Sequence, residues 1–257
     1  MNEPRVIFEN AEFLVVAKPA GLLVHRVRVG ARGRSRRIDE ARRQEPTLAD
    51  WVVARYPEIA HVGDDPEFRP GIVHRLDKET SGVMVVARTQ DAFAWLKRAF
   101  ASRAMTKTYL AFVHGIPSPR EGIIDRPIGI KNGSLKRSVH ATAAAKEAVT
   151  EYKVKDSFSN GRDASYALVE VRPRTGRTHQ IRVHLASIGN PIVGDMLYAP
   201  KSVRREVHRD GKTRLMLHAV TLEFTGPRGE RFTFEEKPPK DFVEVIHSAK
   251  EREKKAI

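Results

Sequence analysis

Two short apolar runs open the chain, Val6-Ile7-Phe8 and Phe13-Leu14-Val15-Val16, and the polar break Glu9-Asn10-Ala11-Glu12 between them predicts a tight hairpin. Lys18-Pro19-Ala20-Gly21 ends the second strand. Further on, Thr47 and Asp50 have the spacing of a capping box ahead of Leu48, Trp51, Val52 and Tyr56, so a helix is expected up to Pro57. Asp64 to Pro70 reads as loop. Gly82-Val83-Met84-Val85-Val86-Ala87 is apolar without alternation, the pattern of a central strand buried on both faces. Asp91 is the expected cap of a helix whose apolar face is Phe93, Trp95, Leu96, Ala99 and Phe100, and Thr108–Val113 returns as a strand.

Gly115 to Val149 carries Pro117, Pro119, Pro127 and Gly133 without long apolar periodicity, which predicts a strand-poor excursion. Val149–Phe158 and Tyr166–Val171 alternate as paired antiparallel strands across Asn160-Gly161-Arg162-Asp163. A helix is expected from Thr178 to Ile188, stopped by Gly189-Asn190-Pro191. Leu215–Phe224 reads as a last long strand, and Lys240–Lys255 as a charged closing helix. No repeat period and no linker separates independent parts. The fold class expected is α/β in the α+β sense: one domain over 1–257, a mixed, largely antiparallel sheet with flanking helices, bilobed around a cleft.

The 257 residues suffice for a sizeable core, and 40% apolar with 30% charged residues excludes a disordered or fibrous chain. No apolar run is long enough to span a bilayer and Met1–Asn10 lacks the pattern of a secretion signal, so no membrane partner is expected. The absence of cysteine removes disulfides, thiolate metal sites and a Cys nucleophile, and suits the cytoplasm. Charge changes the picture more: 46 Lys plus Arg against 32 Asp plus Glu leave a net +14, which points to a polyanionic partner. Arg26, Arg28, Arg32, Arg34, Arg36 and Arg37 fall in one acid-free stretch with Gly30 and Gly33, suited to following a phosphate backbone.

Ten histidines invite a metal reading, but His179 and His184 are five apart, off a common helical face, and no carboxylate cluster accompanies them. No metal site is expected. Phosphate-cradling glycine loops are missing too, so no nucleotide cofactor is indicated. Two dense segments remain. His74-Arg75-Leu76-Asp77-Lys78-Glu79-Thr80-Ser81-Gly82 lies in a turn directly before the buried strand, where a rigid scaffold can hold a catalytic carboxylate; taken by itself, Asp77 is equally a turn former. Arg172 to His184 holds four arginines and two histidines without an acid, a crowd that calls for an anion or a carboxylate nearby, and the interleaved Ile181, Val183 and Leu185 speak for partial burial.

Lys18–His25 (KPAGLLVH), Gly71–Thr89 (GIVHRLDKETSGVMVVART), Lys107–Gly115 (KTYLAFVHG) and Arg174–Tyr198 (RTGRTHQIRVHLASIGNPIVGDMLY) together resemble, in order and spacing, the successive motifs of the RluA family of RNA pseudouridine synthases. The resemblance covers most of the chain from about Glu12 to Phe224. It implies cofactor-free isomerisation of a uridine in ribosomal or transfer RNA: the N1 glycosidic bond breaks, the uracil turns, and C5 bonds to C1′. Asp77 matches the family's essential aspartate, which attacks C1′ or takes the C2′ proton; the sequence leaves both open. Arg177 is the candidate cation that keeps the carboxylate ionised. Tyr109 matches the active-site tyrosine whose ring stacks on the base, and Arg75 the arginine that takes the place of the flipped base. His74 is read as structural. The family often carries an S4-type RNA-binding domain ahead of the first motif, but here that motif begins within twenty residues of Met1, so no S4 domain is expected; a monomer is expected as well. RNA contact then falls to the basic loop at about 26–45, to Lys131–Lys146, and to Arg174, His179 and Arg182.

Two rival classes follow. A non-catalytic RNA-binding or ribosome assembly factor on the same fold is opposed by the intact Asp77, Tyr109 and Arg177. A glycoside hydrolase usually needs two carboxylates flanking the scissile bond, and only Asp77 has a convincing setting.

Overall fold

The computed structural model describes residues 3–26, 45–130, 136–140, 144–159, 165–208 and 213–254. In chain order its elements are β1 (Arg5–Glu9), β2 (Phe13–Lys18), α1 (Leu48–Arg55), a 3-10 turn (Pro57–His61), β3 (Ser81–Ala87), α2 (Gln90–Ala101), β4 (Thr106–His114), β5 (Glu121–Asp125), β6 (Gly129–Ile130), β7 (Arg137–Ser138), β8 (Val149–Ser159), β9 (Ser165–Pro173), α3 (Gln180–Ser187), α4 (Lys201–His208), β10 (Leu217–Thr225), β11 (Arg231–Glu235) and α5 (Lys240–Lys254). The class is mixed α/β, as expected, and the pairs β1–β2, β2–β3, β4–β9, β8–β9 and β5–β8 are antiparallel. The chain groups into two compact units, Met1–Met105 with Leu222–Glu236 and Thr106–Thr221 with Lys237–Ile257.

In the first unit β2 lies between β1 and β3, with Phe13 opposite Ala87 and Lys18 opposite Gly82. All seven residues of β3 are buried, which is why the run lacks polar alternation. One side of this unit is an aromatic cluster in which Phe13 meets Phe8, Trp95, Phe224 and Phe232 at centroid separations of 5.3–6.4 Å, partly edge to face. Thr47 and Asp50 make the full capping box of α1. Helix α2 corrects the expected cap: Thr89, not Asp91, accepts the Ala92 N–H, and Asp91 sits in the first turn, where its charge suits the helix dipole.

In the second unit the strand order is β10-β4-β9-β8-β5, with Tyr109 opposite Val171 and Val171 opposite Tyr152. Phe112, Leu185, Ile192, Met216 and Phe242 are fully buried in its core. The region expected to be strand-poor contains β5, whose residues pair with Val149–Lys153 of β8; Ile123 and Ile124 alternate only briefly, so the signal was short. The β8–β9 hairpin forms as predicted, while its turn, Asn160–Asp163, lies outside the described residues. Helix α3 begins at Gln180 rather than Thr178, because His179 takes a left-handed backbone with φ of 58°. Strand β11 and helix α4 were not expected. No helix among the described residues is long and apolar enough to cross a membrane.

Candidate active site

The turn carrying Asp77 is fixed from several sides within the first unit. Gly71, at φ of +67°, passes so close to β3 that a Cβ would lie 2.5 Å from the Ala87 carbonyl oxygen, so only glycine fits. The Ala87 N–H donates to the Gly71 carbonyl at 2.9 Å, joining the incoming loop to the strand it will become. His74 accepts the Val85 N–H through Nε2 at 3.1 Å and stacks on Phe100 with centroids 4.4 Å apart, which supports its structural reading. Leu76 is buried, and the Thr80 N–H closes the turn on the Asp77 carbonyl at 3.1 Å. Asp77 itself is half-buried, on the turn but next to a fully buried strand. This is a loop position held by a rigid element, the arrangement that a catalytic carboxylate requires.

The sequence marks Lys18 only as part of a motif. Only 1% exposed, it donates from Nζ to the carbonyls of Pro19 at 2.7 Å, Leu22 at 2.8 Å and Lys78 at 3.1 Å. The Gly21 N–H adds a bond to the same Lys78 carbonyl at 2.9 Å. One buried ammonium thus ties the Lys18–Gly21 segment to the residue after Asp77, and its three donors meet three carbonyl acceptors, which offsets the cost of burying the charge.

Arg75 is exposed beside Asp77, with Nη1 3.5 Å from His25 Nε2. His25 Nδ1 lies 2.6 Å from the Arg26 carbonyl; since a carbonyl only accepts, Nδ1 carries the proton and Nε2 is left to face the guanidinium as an acceptor. Burial, the largest cause, and then the charges of Arg75 and Arg69 hold His25 below the usual imidazole value, against the pull of the Arg26 carbonyl. Arg26 forms an ion pair with Asp50 at 2.9 Å. Arg28, Arg32, Arg34, Arg36 and Arg37 lie outside the described residues.

The second unit carries the other candidates. Tyr109 stands on β4, half-buried and packed against the core around Val171. Arg177 belongs to the segment Arg174–His179 between β9 and α3; its Nε donates to the Glu147 carbonyl at 2.9 Å and its backbone N–H to Gln180 Oε1 at 2.9 Å. Arg174 is paired with Glu151 at the surface. His179 Nδ1 is 2.7 Å from the Tyr198 hydroxyl, which also accepts the Arg137 N–H at 3.1 Å, so the basic β6–β7 ribbon is anchored to the start of α3. Arg182, expected to face RNA, is placed otherwise. Its side chain, 11% exposed, makes a two-pronged pair with Asp195, whose side chain is 1% exposed, through Nε at 2.8 Å and Nη2 at 2.9 Å. That is the geometry of an internal ion pair.

Comparison with known proteins completes the picture. The profile of the family described as RNA pseudouridylate synthase matches residues 12–187, a span that includes Asp77, Tyr109 and Arg177. The chain belongs to that family. It is 36% identical to the uncharacterized RNA pseudouridine synthase YlyB of Bacillus subtilis over 95% of this chain and 72% of that one. It is 35% identical to the ribosomal large subunit pseudouridine synthase D of Pseudomonas aeruginosa, over 95% of this chain and 71% of that protein. Among solved structures, human RNA pseudouridylate synthase domain containing 1 superposes with a TM-score of 0.69 at 27% identity, covering 92% of this chain and 84% of that one. Human RNA pseudouridylate synthase domain containing 4 gives 0.67 at 28% identity, covering 94% and 91%. The synthase is therefore an isomerase acting on RNA, and the alternative of a non-catalytic RNA-binding factor is not favoured.

Proposed function

We propose that the synthase converts a uridine of large-subunit ribosomal RNA to pseudouridine with Asp77 as its essential carboxylate. The single observation that carries this reading is the setting of Asp77: a half-buried acid in the family's motif, on a turn pinned to β3 through Gly71 and His74 and to the end of β2 by the Lys18 ammonium. The carboxylate form performs either role, attack at C1′ or removal of the C2′ proton, and Arg177 is assigned to the same reaction as its cationic group. Tyr109 supplies an aromatic face for the uracil, and Arg75 fills the stack that the flipped nucleotide leaves. The reaction redistributes bonds within one nucleotide and is balanced without oxidant, reductant or cofactor. The synthase works as a monomer in the cytoplasm. Relatives named for the ribosomal large subunit support that substrate over transfer RNA.

The test maps pseudouridines across total RNA from cells with and without the gene. Loss of one or more sites in large-subunit RNA, restored by the wild-type chain, is the expected result. Losses confined to transfer RNA would replace the substrate, and an unchanged map would remove the function.

A further inference from the structure

The buried polar side chains beneath the Arg174–Arg177 segment form a hydrogen-bond chain whose every direction is fixed by chemistry. The Val149 N–H donates to Thr175 Oγ1 at 3.0 Å, and the Thr175 hydroxyl donates to Gln180 Oε1 at 2.7 Å. The same oxygen accepts the Arg177 N–H. From the other end of the amide, Gln180 Nε2 donates to the Val149 carbonyl and to Thr150 Oγ1, both at 2.9 Å. The Arg126 carbonyl only accepts, so His184 Nε2 donates to it at 2.9 Å, and Nδ1 of the neutral ring is left to accept the Thr150 hydroxyl proton at 2.8 Å. Burial, the largest influence on His184, keeps its ring toward the neutral form that this pattern needs, against the opposite pull of the Arg126 carbonyl.

Gln180 is the centre of this chain. It is 4% exposed, and both of its donors and both of its acceptor lone pairs are used. No other side chain offers two donors and two acceptors at that reach: glutamate lacks the donors, methionine has neither, asparagine is one carbon shorter. Its backbone closes the turn as well, the Gln180 N–H donating to the Arg177 carbonyl at 3.1 Å, so Arg177 is held by N–H and C=O from one residue. The intervening His179 sits in the left-handed region, a conformation that persists only where its surroundings impose it.

We infer that Gln180, with Thr175, is a positioning residue for Arg177: the buried amide sets the backbone from which the Arg177 guanidinium is presented to the reaction. The inference rests on the role assigned to Arg177 above. A group held about 1 Å out of place loses on the order of 10²-fold in rate. Gln180→Met should therefore lower kcat by about that factor with KM for RNA little changed, since the variant touches no RNA-contacting group.

The experiment measures kcat, KM and Tm for Arg177→Met, Gln180→Met, the double variant, Thr175→Val and Thr175→Ser, all assayed well below each Tm. The expected pattern is a loss in both single variants and no further loss in Arg177→Met/Gln180→Met, because Gln180 acts through Arg177. Thr175→Ser should keep near wild-type turnover while Thr175→Val loses it, and that pair carries the test should Gln180→Met not fold. A purely structural Gln180 would lower Tm yet leave kcat intact, or give a double variant whose losses multiply; either overturns the inference. Wild-type turnover in Arg177→Met instead removes the role of Arg177, and the positioning inference with it.

Discussion

Removing the Arg182 guanidinium should destabilise the synthase far more than it weakens RNA binding. Arg182→Met keeps much of the aliphatic stem but strips Asp195 Oδ2 of its donor at 2.8 Å and Oδ1 of one at 2.9 Å. The carboxylate, 1% exposed, is then a buried anion whose remaining donors among the described residues are the Leu197 and Tyr198 N–H groups, at 2.9 and 3.0 Å on Oδ1. Breaking one side of such a pair costs about 3–5 kcal/mol. At about 2–4 °C per kcal/mol for a chain of this size, Tm should fall by roughly 6–20 °C. The double variant Arg182→Met/Asp195→Asn separates the causes, because the amide oxygen still accepts the two N–H groups while the charge is gone; most of the lost Tm should return. Calorimetry on the three proteins, with RNA affinity measured alongside, decides the matter. An unchanged Tm together with weakened RNA binding in Arg182→Met would refute this reasoning and return Arg182 to the RNA-facing role that its sequence context suggested.

Two further outcomes follow from the same reading. Tyr109→Phe should retain turnover within a small factor, whereas Tyr109→Ala should lose stacking of about 1–3 kcal/mol against the base, seen in single-turnover rate and substrate affinity; equal activity in all three proteins would mean that the ring only packs. Burial holds His114 at about 4, down from the ordinary 6.5, and its buried Nε2 has no hydrogen-bond partner among the described residues. The unfolded chain therefore binds this proton first, so stability is lost as pH falls from 6.5 toward 4, and His114→Phe should flatten that limb of a Tm-against-pH curve.

The elements that sequence reading recovered are those whose pattern reports burial directly. The unbroken apolar run of β3 is buried on both faces, and the alternation of β8 and β9 is an antiparallel pair. Strand β11 also alternates, Phe232 and Phe234 reaching the aromatic cluster, and was readable but brief. The cap of α2 is not legible in the sequence because Thr89 and Asp91 are both good caps by type, and only backbone geometry chooses between them. At the site, the motifs pointed to Asp77, Tyr109 and Arg177, but the polar residues beneath them were not legible. Lys18 and Gln180 look solvent-facing by type, and what buries them is a set of carbonyls and hydroxyls brought in from distant segments. The same is true of Arg182, whose partner Asp195 lies thirteen residues away beyond the helix.

The central claim is that Asp77 performs the chemistry, and Asp77→Asn tests it most directly, because an amide of nearly the same shape is neither nucleophilic nor basic. Purified wild-type and variant proteins would be incubated with large-subunit ribosomal RNA, and pseudouridine formation and free uracil would be followed together with RNA binding and Tm. The account predicts a variant that folds and binds RNA as the wild type does and forms no pseudouridine. Pseudouridine formation at a rate near that of the wild type would contradict it and place the essential carboxylate elsewhere in the chain.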